Sequence, residues 1–121
     1  MSEDRKMSIT FAPSNLIPVG FWALRKEEAH EGLPWPGNLI DPSWRDAERA
    51  LAIAYLKGGN SIAQYRGLSG CRLCGKRNGS QDFGDTSYVW PQGYAHYVEA
   101  HFVKPPQHFL DWIKGRSIGG Q

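Results

Sequence analysis

Cysteine is scarce in this chain, which has only Cys71 and Cys74 among its 121 residues. The N-terminus lacks the basic flank and apolar run that form a signal peptide. No stretch approaches the ~20 consecutive apolar residues that a membrane-spanning helix needs. The sequence therefore predicts a cytoplasmic protein without a membrane segment, whose two cysteines are reduced or metal-bound rather than joined in a disulfide.

Net charge is also small, at +2, with 14 Lys and Arg against 12 Asp and Glu. This balance gives no strong electrostatic case for binding nucleic acid or an anionic membrane. The hydrophobic content of 40% is ordinary for a globular protein, so the composition argues against wholesale disorder. A chain of this length is expected to form one domain.

The sequence predicts a small single α+β domain over residues 1–121, with a zinc module in its C-terminal half. The expected parts are a flexible tail (1–6), a mixed strand and helix part (7–66), the zinc module (67–114) and a second flexible tail (115–121). Both halves are expected to share one core, because neither is large enough to be comfortably stable alone.

In the N-terminal part, Met7–Phe11 and Val19–Leu24 are predicted to be short strands. The clearest helix follows them. Either Asp41 or Ser43 is suited to cap its N-terminus, since short polar side chains accept hydrogen bonds from the first free amides. Gly58-Gly59 is expected to end this helix in a left-handed conformation.

In the C-terminal part, an extended segment over 61–67 is expected to lead into the first cysteine. Turn-forming residues dominate Gly75–Asp85, which predicts a loop. Thr86–Trp90 is a strand candidate, and Pro91 is expected to begin a helix that runs to about Phe102. A last short helix is predicted over Gln107–Lys114.

The segment Gly70-Cys71-Arg72-Leu73-Cys74-Gly75 has the spacing of a zinc knuckle. Two residues between the cysteines allow one tight turn to present both sulfur atoms to a single ion. Gly75 permits the left-handed conformation that turns backbone amides toward the thiolates. Three nearby cations are expected to favour the deprotonated thiols: Arg72, Lys76 and Arg77.

His96 and His101 supply the other two candidate ligands, separated by four residues within the spacing range of zinc fingers. Five residues of a regular helix turn by about 140°, so the helix must tighten or loosen near its C-terminal end for both rings to converge. The order of knuckle, strand and histidine helix predicts a ββα-like module. However, 21 residues separate Cys74 from His96 instead of about a dozen, which predicts an inserted loop and leaves a treble-clef-like arrangement open.

Other interpretations of these residues stay open. The cysteine pair could be a redox dithiol, although polar turn residues follow it where a helix normally would. The cysteines could also be buried small side chains, and the two histidines ordinary helix residues. His30 lies among glutamates and is expected in a solvated loop, while His108 is expected in the first turn of the last helix.

Four protein ligands complete a tetrahedron and leave no open position for water, so the predicted zinc is structural rather than catalytic. The chain also contains no recognised hydrolase, nucleotide-binding or metalloprotease motif. Asp82 and Asp85 are explained as turn formers and Glu99 as a helix-surface carboxylate. The protein is therefore predicted not to be an enzyme.

The segments YRGLSGCRLCGKRNGS, TSYVWPQGYAHYVEAH and VKPPQHF, from about Tyr65 to Phe109, resemble a group of small bacterial proteins of unassigned biochemical role. The likeness extends upstream to the helix between Asp41 and Gly58. The resemblance implies a CxxC…HxxxxH zinc module and no activity. It also implies that Trp90-Pro91, Tyr94 and Tyr97 are packing residues of a metal-centred core.

The leading functional prediction is a non-enzymatic, zinc-stabilised interaction protein that binds another protein, such as a toxin-immunity or inhibitor protein or a phage-encoded modulator. The candidate aromatic anchors for a partner are Trp22, Trp35 and Trp44. The alternative is nucleic-acid binding, through cations around the knuckle and two aromatic rings for stacking: Arg66, Arg72, Lys76, Arg77, Tyr65 and Tyr88. The oligomeric state is not predicted.

Overall fold

A mixed four-stranded sheet organises the fold in the computed structural model, which describes residues 16–30 and 32–119, without the side chains of 65–68 and 117–119. The strands are β1 (Ile17–Pro18), β2 (Asn60–Gly70), β3 (Arg77–Gly84) and β4 (Tyr88–Pro91). Their order across the sheet is β1-β4-β3-β2. The predicted tail 1–6 and strand 7–11 lie outside the described residues.

Three helices accompany this sheet: α1 (Asp46–Lys57), α2 (Tyr94–His101) and α3 (Gln107–Gly119). Two short 3-10 turns, Lys26–Glu28 and Pro36–Leu39, precede them. This architecture confirms the predicted α+β single domain. No helix within the described part of the chain is long and apolar enough to cross a bilayer.

The first observed strand differs from the prediction of a strand over Val19–Leu24. It comprises only Ile17 and Pro18, which pair in parallel with Tyr88 and Val89 of β4. A proline can occupy this position because β1 lies at the sheet edge, where a missing amide hydrogen breaks no interior ladder.

The predicted loop over Gly75–Asp85 is wrong, because most of it forms β3. This strand pairs antiparallel with β2 on one side and with β4 on the other. Gly84 is required by close packing, since a Cβ atom there would lie 2.1 Å from the Ile62 side chain and 2.8 Å from the Tyr88 carbonyl oxygen. The 21 residues between the second cysteine and the first histidine are therefore occupied mainly by two strands.

The boundaries of α1 also differ from the prediction. Arg45 occupies the N-cap position and no side chain caps the helix. Asp41 instead closes a turn before it: its carboxylate accepts hydrogen bonds from the Ser43 amide at 3.1 Å and hydroxyl at 2.7 Å. Gly58 ends the helix as expected, but with φ −95° and not in a left-handed conformation.

The ends of the other two helices shift as well. Pro91 belongs to β4, so α2 begins three residues later, at Tyr94. The last helix continues to Gly119, past the predicted end at Lys114 and into the expected flexible tail.

The main core lies between the helices and the sheet face that carries Tyr88 and Trp90. Trp90, Tyr94 and Phe109 are fully buried in it, so the first two are packing residues as predicted, but in this core and not in one centred on the metal ligands. A smaller cluster beside the cysteines contains Cys71, Tyr97 and Val103. Because α2 contributes Tyr94 to the first cluster and Tyr97 to the second, this helix couples the two.

The carboxylate of Asp85 connects the β3–β4 turn to the helices. It accepts hydrogen bonds from the Ser87 and Tyr88 amides at 2.7 Å, from the Trp112 indole at 2.9 Å and from the Tyr55 hydroxyl. Burial alone would raise the pKa of Asp85, but these hydrogen bonds outweigh it and hold the pKa below its ordinary value. The group is therefore an ionised acceptor at neutral pH, in agreement with its predicted turn-forming role.

Asp85→Ala is expected to lower the free energy of unfolding by about 2–3 kcal/mol, because it leaves partly buried donors without their acceptor. Urea denaturation at pH 7 with zinc present measures this loss. Asp111→Ala is the matched control, since Asp111 lies on the exposed side of α3, and its change is expected to stay within about 0.5 kcal/mol. Equal losses in the two variants would contradict the role assigned to Asp85.

Candidate metal centre

The cysteine knuckle lies in the turn that joins β2 to β3. The Cys71 amide donates to the Lys76 carbonyl at 2.8 Å, and the Gly75 amide donates to the Cys71 carbonyl at 2.9 Å. Gly75 has φ +79°, as predicted for the residue after the second cysteine. The Leu73 amide lies 3.3 Å from Cys71 Sγ, so a backbone donor already faces one sulfur atom.

The two histidines lie on α2, His96 in its first turn and His101 at its last residue. Phe102 follows with φ +57°, and both its amide and that of Val103 bond to the Tyr97 carbonyl. A bond from residue 102 back to 97 spans five residues and belongs to a turn wider than an α-turn. The widened turn therefore begins directly after His101, at the end of the helix where the 140° offset predicted a departure from regular geometry.

The four predicted ligands converge in space. One ligand atom from each of Cys71, Cys74, His96 and His101 lies within 4.8 Å of the others. Cys74 Sγ and His96 Nε2 are 3.3 Å apart, and the two imidazole rings are 5.1 Å apart at 79° to each other. Two sulfur and two nitrogen atoms so arranged could hold a single metal ion.

The site is asymmetric in its exposure to solvent. Cys71 is buried, both histidines are half-buried and Cys74 is exposed. Burial, and then the neighbouring His101 and Lys76, lower the pKa of His96, which favours the neutral imidazole that metals bind. His101 Nε2 is buried and has no hydrogen-bond partner among the described residues. A bound metal ion would satisfy this nitrogen.

Tyr97 holds the knuckle through a hydrogen bond, a role that the sequence did not indicate. Its hydroxyl accepts a 2.6 Å hydrogen bond from the Arg72 amide, between the two cysteines. Burial raises the pKa of Tyr97 to about 12, so this hydroxyl is neutral. Only packing could be predicted for an aromatic residue next to His96, because nothing in the spacing of the two segments shows that they meet.

The Arg72 guanidinium, which was expected to favour the deprotonated thiols, is bonded to backbone carbonyls instead. Its Nε donates to the Ala23 carbonyl at 3.2 Å and its Nη1 to the Gly70 carbonyl at 3.0 Å. These bonds tie the knuckle to the N-terminal part of the domain. Lys76 and Arg77 are exposed at the end of the turn.

The remaining histidines lie away from the cluster, as predicted. His30 is exposed in a loop, where its Nδ1 accepts a bond from the Gly32 amide. His108 stacks on Tyr88 in the first turn of α3, with its Nδ1 2.9 Å from the Tyr88 hydroxyl. Within the described ranges, no other group of three or more Cys, His, Asp or Glu side chains could hold a metal ion.

No protein-family model, no curated protein and no solved structure matches this chain. Of the resemblance to small bacterial zinc proteins, only one part is supported: the Cys-x-x-Cys pair and the two histidines lie close enough to bind a metal.

Proposed function

We propose that Cys71, Cys74, His96 and His101 bind one Zn²⁺ ion per chain. The convergence of the four ligand atoms within 4.8 Å carries this proposal. Two thiolates and two imidazoles form a donor set typical of zinc, while carboxylate and carbonyl oxygens suit Mg²⁺ and Ca²⁺. Two structural features support the proposal. The Leu73 amide faces one sulfur atom of the knuckle, and the C-terminal end of the histidine helix is widened.

The role proposed for this zinc is structural. Four protein ligands fill its tetrahedral sphere and leave no position at which water or a substrate could be activated. The ion would join the β2–β3 turn to both ends of α2, two parts of the chain that are otherwise linked mainly through the small cluster around Tyr97.

The direct test of the proposal is the zinc content of purified protein. We expect about one zinc per chain in the wild type and a clear loss in His101→Ala, because three ligands hold the ion less tightly than four. His30→Ala is the matched control, since it removes an exposed histidine outside the cluster and is expected to retain zinc. Wild type purified without chelator but free of zinc would contradict the assignment and favour a redox dithiol.

We further propose that the protein is a non-enzymatic interaction protein, of which a toxin-immunity protein, an inhibitor and a phage-encoded modulator are examples. The supporting observation concerns large apolar side chains. Those that are exposed in the described part of the chain all lie in residues 17–40: Ile17, Leu24, Leu33 and Ile40. Exposed apolar groups are typical of binding surfaces where they form a continuous patch, and these four share one segment of the chain.

The predicted tryptophan anchors fit this surface only in part. Trp44 is buried, while Trp22 and Trp35 are half-buried within the same segment. A protein partner captured by wild type and by Lys57→Glu, but not by Leu24→Glu, would support this surface. Equal capture by both variants would contradict it, because Lys57 lies on α1 outside the apolar segment.

Nucleic-acid binding is the second candidate, supported by Lys76 and Arg77, which are exposed beside the metal centre. Against it, Tyr88 is buried and is not presented for stacking, and the Nε and Nη1 donors of Arg72 are bonded to backbone carbonyls. A phosphate-dominated complex weakens steeply as salt rises. Binding that is absent at low salt would exclude this candidate.

A further inference from the structure

A groove of about 460 Å³ lies beside the metal centre. Its apolar walls include Phe21, Trp22, Leu33 and Tyr97, and glycines of the sheet and of the α2 N-cap also line it. This volume falls within the range of pockets that bind small ligands, which are mostly apolar with a few fixed polar groups.

One donor group at this groove lacks a full set of acceptors. Arg72 lines it and is half-buried, and no ion pair joins its guanidinium to a carboxylate among the described residues. Its Nε and Nη1 each have one carbonyl acceptor, which leaves N–H groups of the five-donor guanidinium available.

A half-buried cation without a counter-charge is costly, and an anionic acceptor would satisfy its free N–H groups. A planar carboxylate matches the guanidinium fork with two parallel hydrogen bonds. Asp82 also lines the groove, but it has an interaction of its own. We propose that this groove binds an organic carboxylate with an aromatic or branched apolar body, whose carboxylate is held by Arg72.

The metal centre would prepare this groove for its ligand. Arg72 lies between Cys71 and Cys74, and its amide is bonded to the hydroxyl of Tyr97, which also lines the groove. An ion held by the knuckle would fix the backbone that carries the guanidinium. The inference therefore deepens the proposed function and rests on it for this positioning.

The probes for the test are N-acetyl-phenylalanine and its amide, which share a body and differ in the charge of one group. Zinc-loaded protein is titrated with each and followed by amide NMR shifts of Gly20, Gly70, Gly79 and Gly93. We expect the carboxylate to bind at least about tenfold more tightly than the amide, the ratio typical of a charge-assisted hydrogen bond. Equal affinities, or no shifts at these glycines up to about 10 mM of either probe, would overturn the proposal.

Two variants separate recognition from folding. Arg72→Gln is expected to abolish the preference for the carboxylate while keeping about one zinc per chain. If that variant does not fold, Leu33→Glu tests the site instead. Leu33 lines the groove and is 38% exposed, so a glutamate there is expected to repel the carboxylate probe and weaken its binding. Leu24→Glu is its control, at a residue 71% exposed that does not line the groove. Weakening by both Glu variants alike would contradict the site.

Zinc content measured on the same samples distinguishes the two proposals. Full zinc occupancy without carboxylate preference would contradict the groove alone. Carboxylate preference in wild type without any zinc would support the groove and contradict the metal centre.

Discussion

Removal of the proposed zinc ion is expected to unfold the C-terminal half of the protein. Zinc binding to small modules contributes about 10–16 kcal/mol at neutral pH, whereas whole domains are stable by about 5–15 kcal/mol. The cluster beside the knuckle is small, with Cys71, Tyr97 and Val103 at its centre. It cannot hold the β2–β3 turn against α2 once the ion is gone. Since α2 also carries Tyr94 and Val98 of the main core, the loss of structure should spread to that core.

A strong zinc chelator at pH 7 tests this expectation. Near-ultraviolet circular dichroism should lose its aromatic signal, and tryptophan emission should shift to the red as Trp22 and Trp90 become hydrated. Addition of Zn²⁺ should restore both signals, while Mg²⁺ should not, because it prefers oxygen ligands. Chelator saturated beforehand with zinc is the control. A metal-free protein with an unchanged aromatic signal and a melting temperature within about 2 °C of the wild type would contradict a structural zinc.

Trp90→Ala is expected to cost about 3–5 kcal/mol of folding free energy, the range for removal of a fully buried large aromatic side chain. Trp90 has no exposed surface and donates its indole N–H to the Leu56 carbonyl at 3.1 Å. Its ring also lies against Tyr55 and Phe109, with centroid distances of 5.8 and 5.7 Å. The substitution therefore leaves a cavity and a carbonyl without its donor.

Urea denaturation in excess zinc measures this cost. Trp35→Ala makes the same chemical change at a half-buried residue outside both core clusters, and we expect a loss of about 1 kcal/mol there. If the two variants lost the same free energy, Trp90 would not be the central core residue that the structure indicates. Zinc content, measured in parallel, should remain near one per chain in both.

The candidate ligands could be predicted from sequence because metal binding restricts residue type and spacing together. A Cys-x-x-Cys turn needs only local geometry, and Gly75 adopts the conformation expected for it. For His96 and His101 the sequence predicts only that the helix end must loosen so that both rings converge. The position of this loosening could not be predicted, since the widened turn depends on the left-handed conformation of Phe102 and on the burial of Val103.

The strand β3 could not be predicted, because its residues are poor strand formers when considered alone. The sequence RNGSQDFG contains turn signals, and only pairing with two neighbours makes it a strand. Gly79 has φ +145° and lies against Gln92, which leaves no space for a Cβ atom. Such a glycine is required by a long-range contact but looks like a turn residue in sequence.

Helix ends were predicted from local capping rules and were displaced by tertiary contacts. The carboxylate of Asp41 was available to cap a helix, but it closes a turn that places the buried Trp44 before α1. Pro91 suits the first turn of a helix, but the pairing of Asp82 with Pro91 keeps it in the sheet. The groove could not be foreseen either, because its walls come from five separate segments of the chain.

X-ray absorption at the zinc edge of purified protein tests the central claim most directly, because it reports the atoms bound to the ion. A structural site built from Cys71, Cys74, His96 and His101 predicts two sulfur ligands at about 2.3 Å and two imidazole nitrogens at about 2.0 Å, with no further ligand. A bound water oxygen in the first shell, or any number of sulfur ligands other than two, would contradict it.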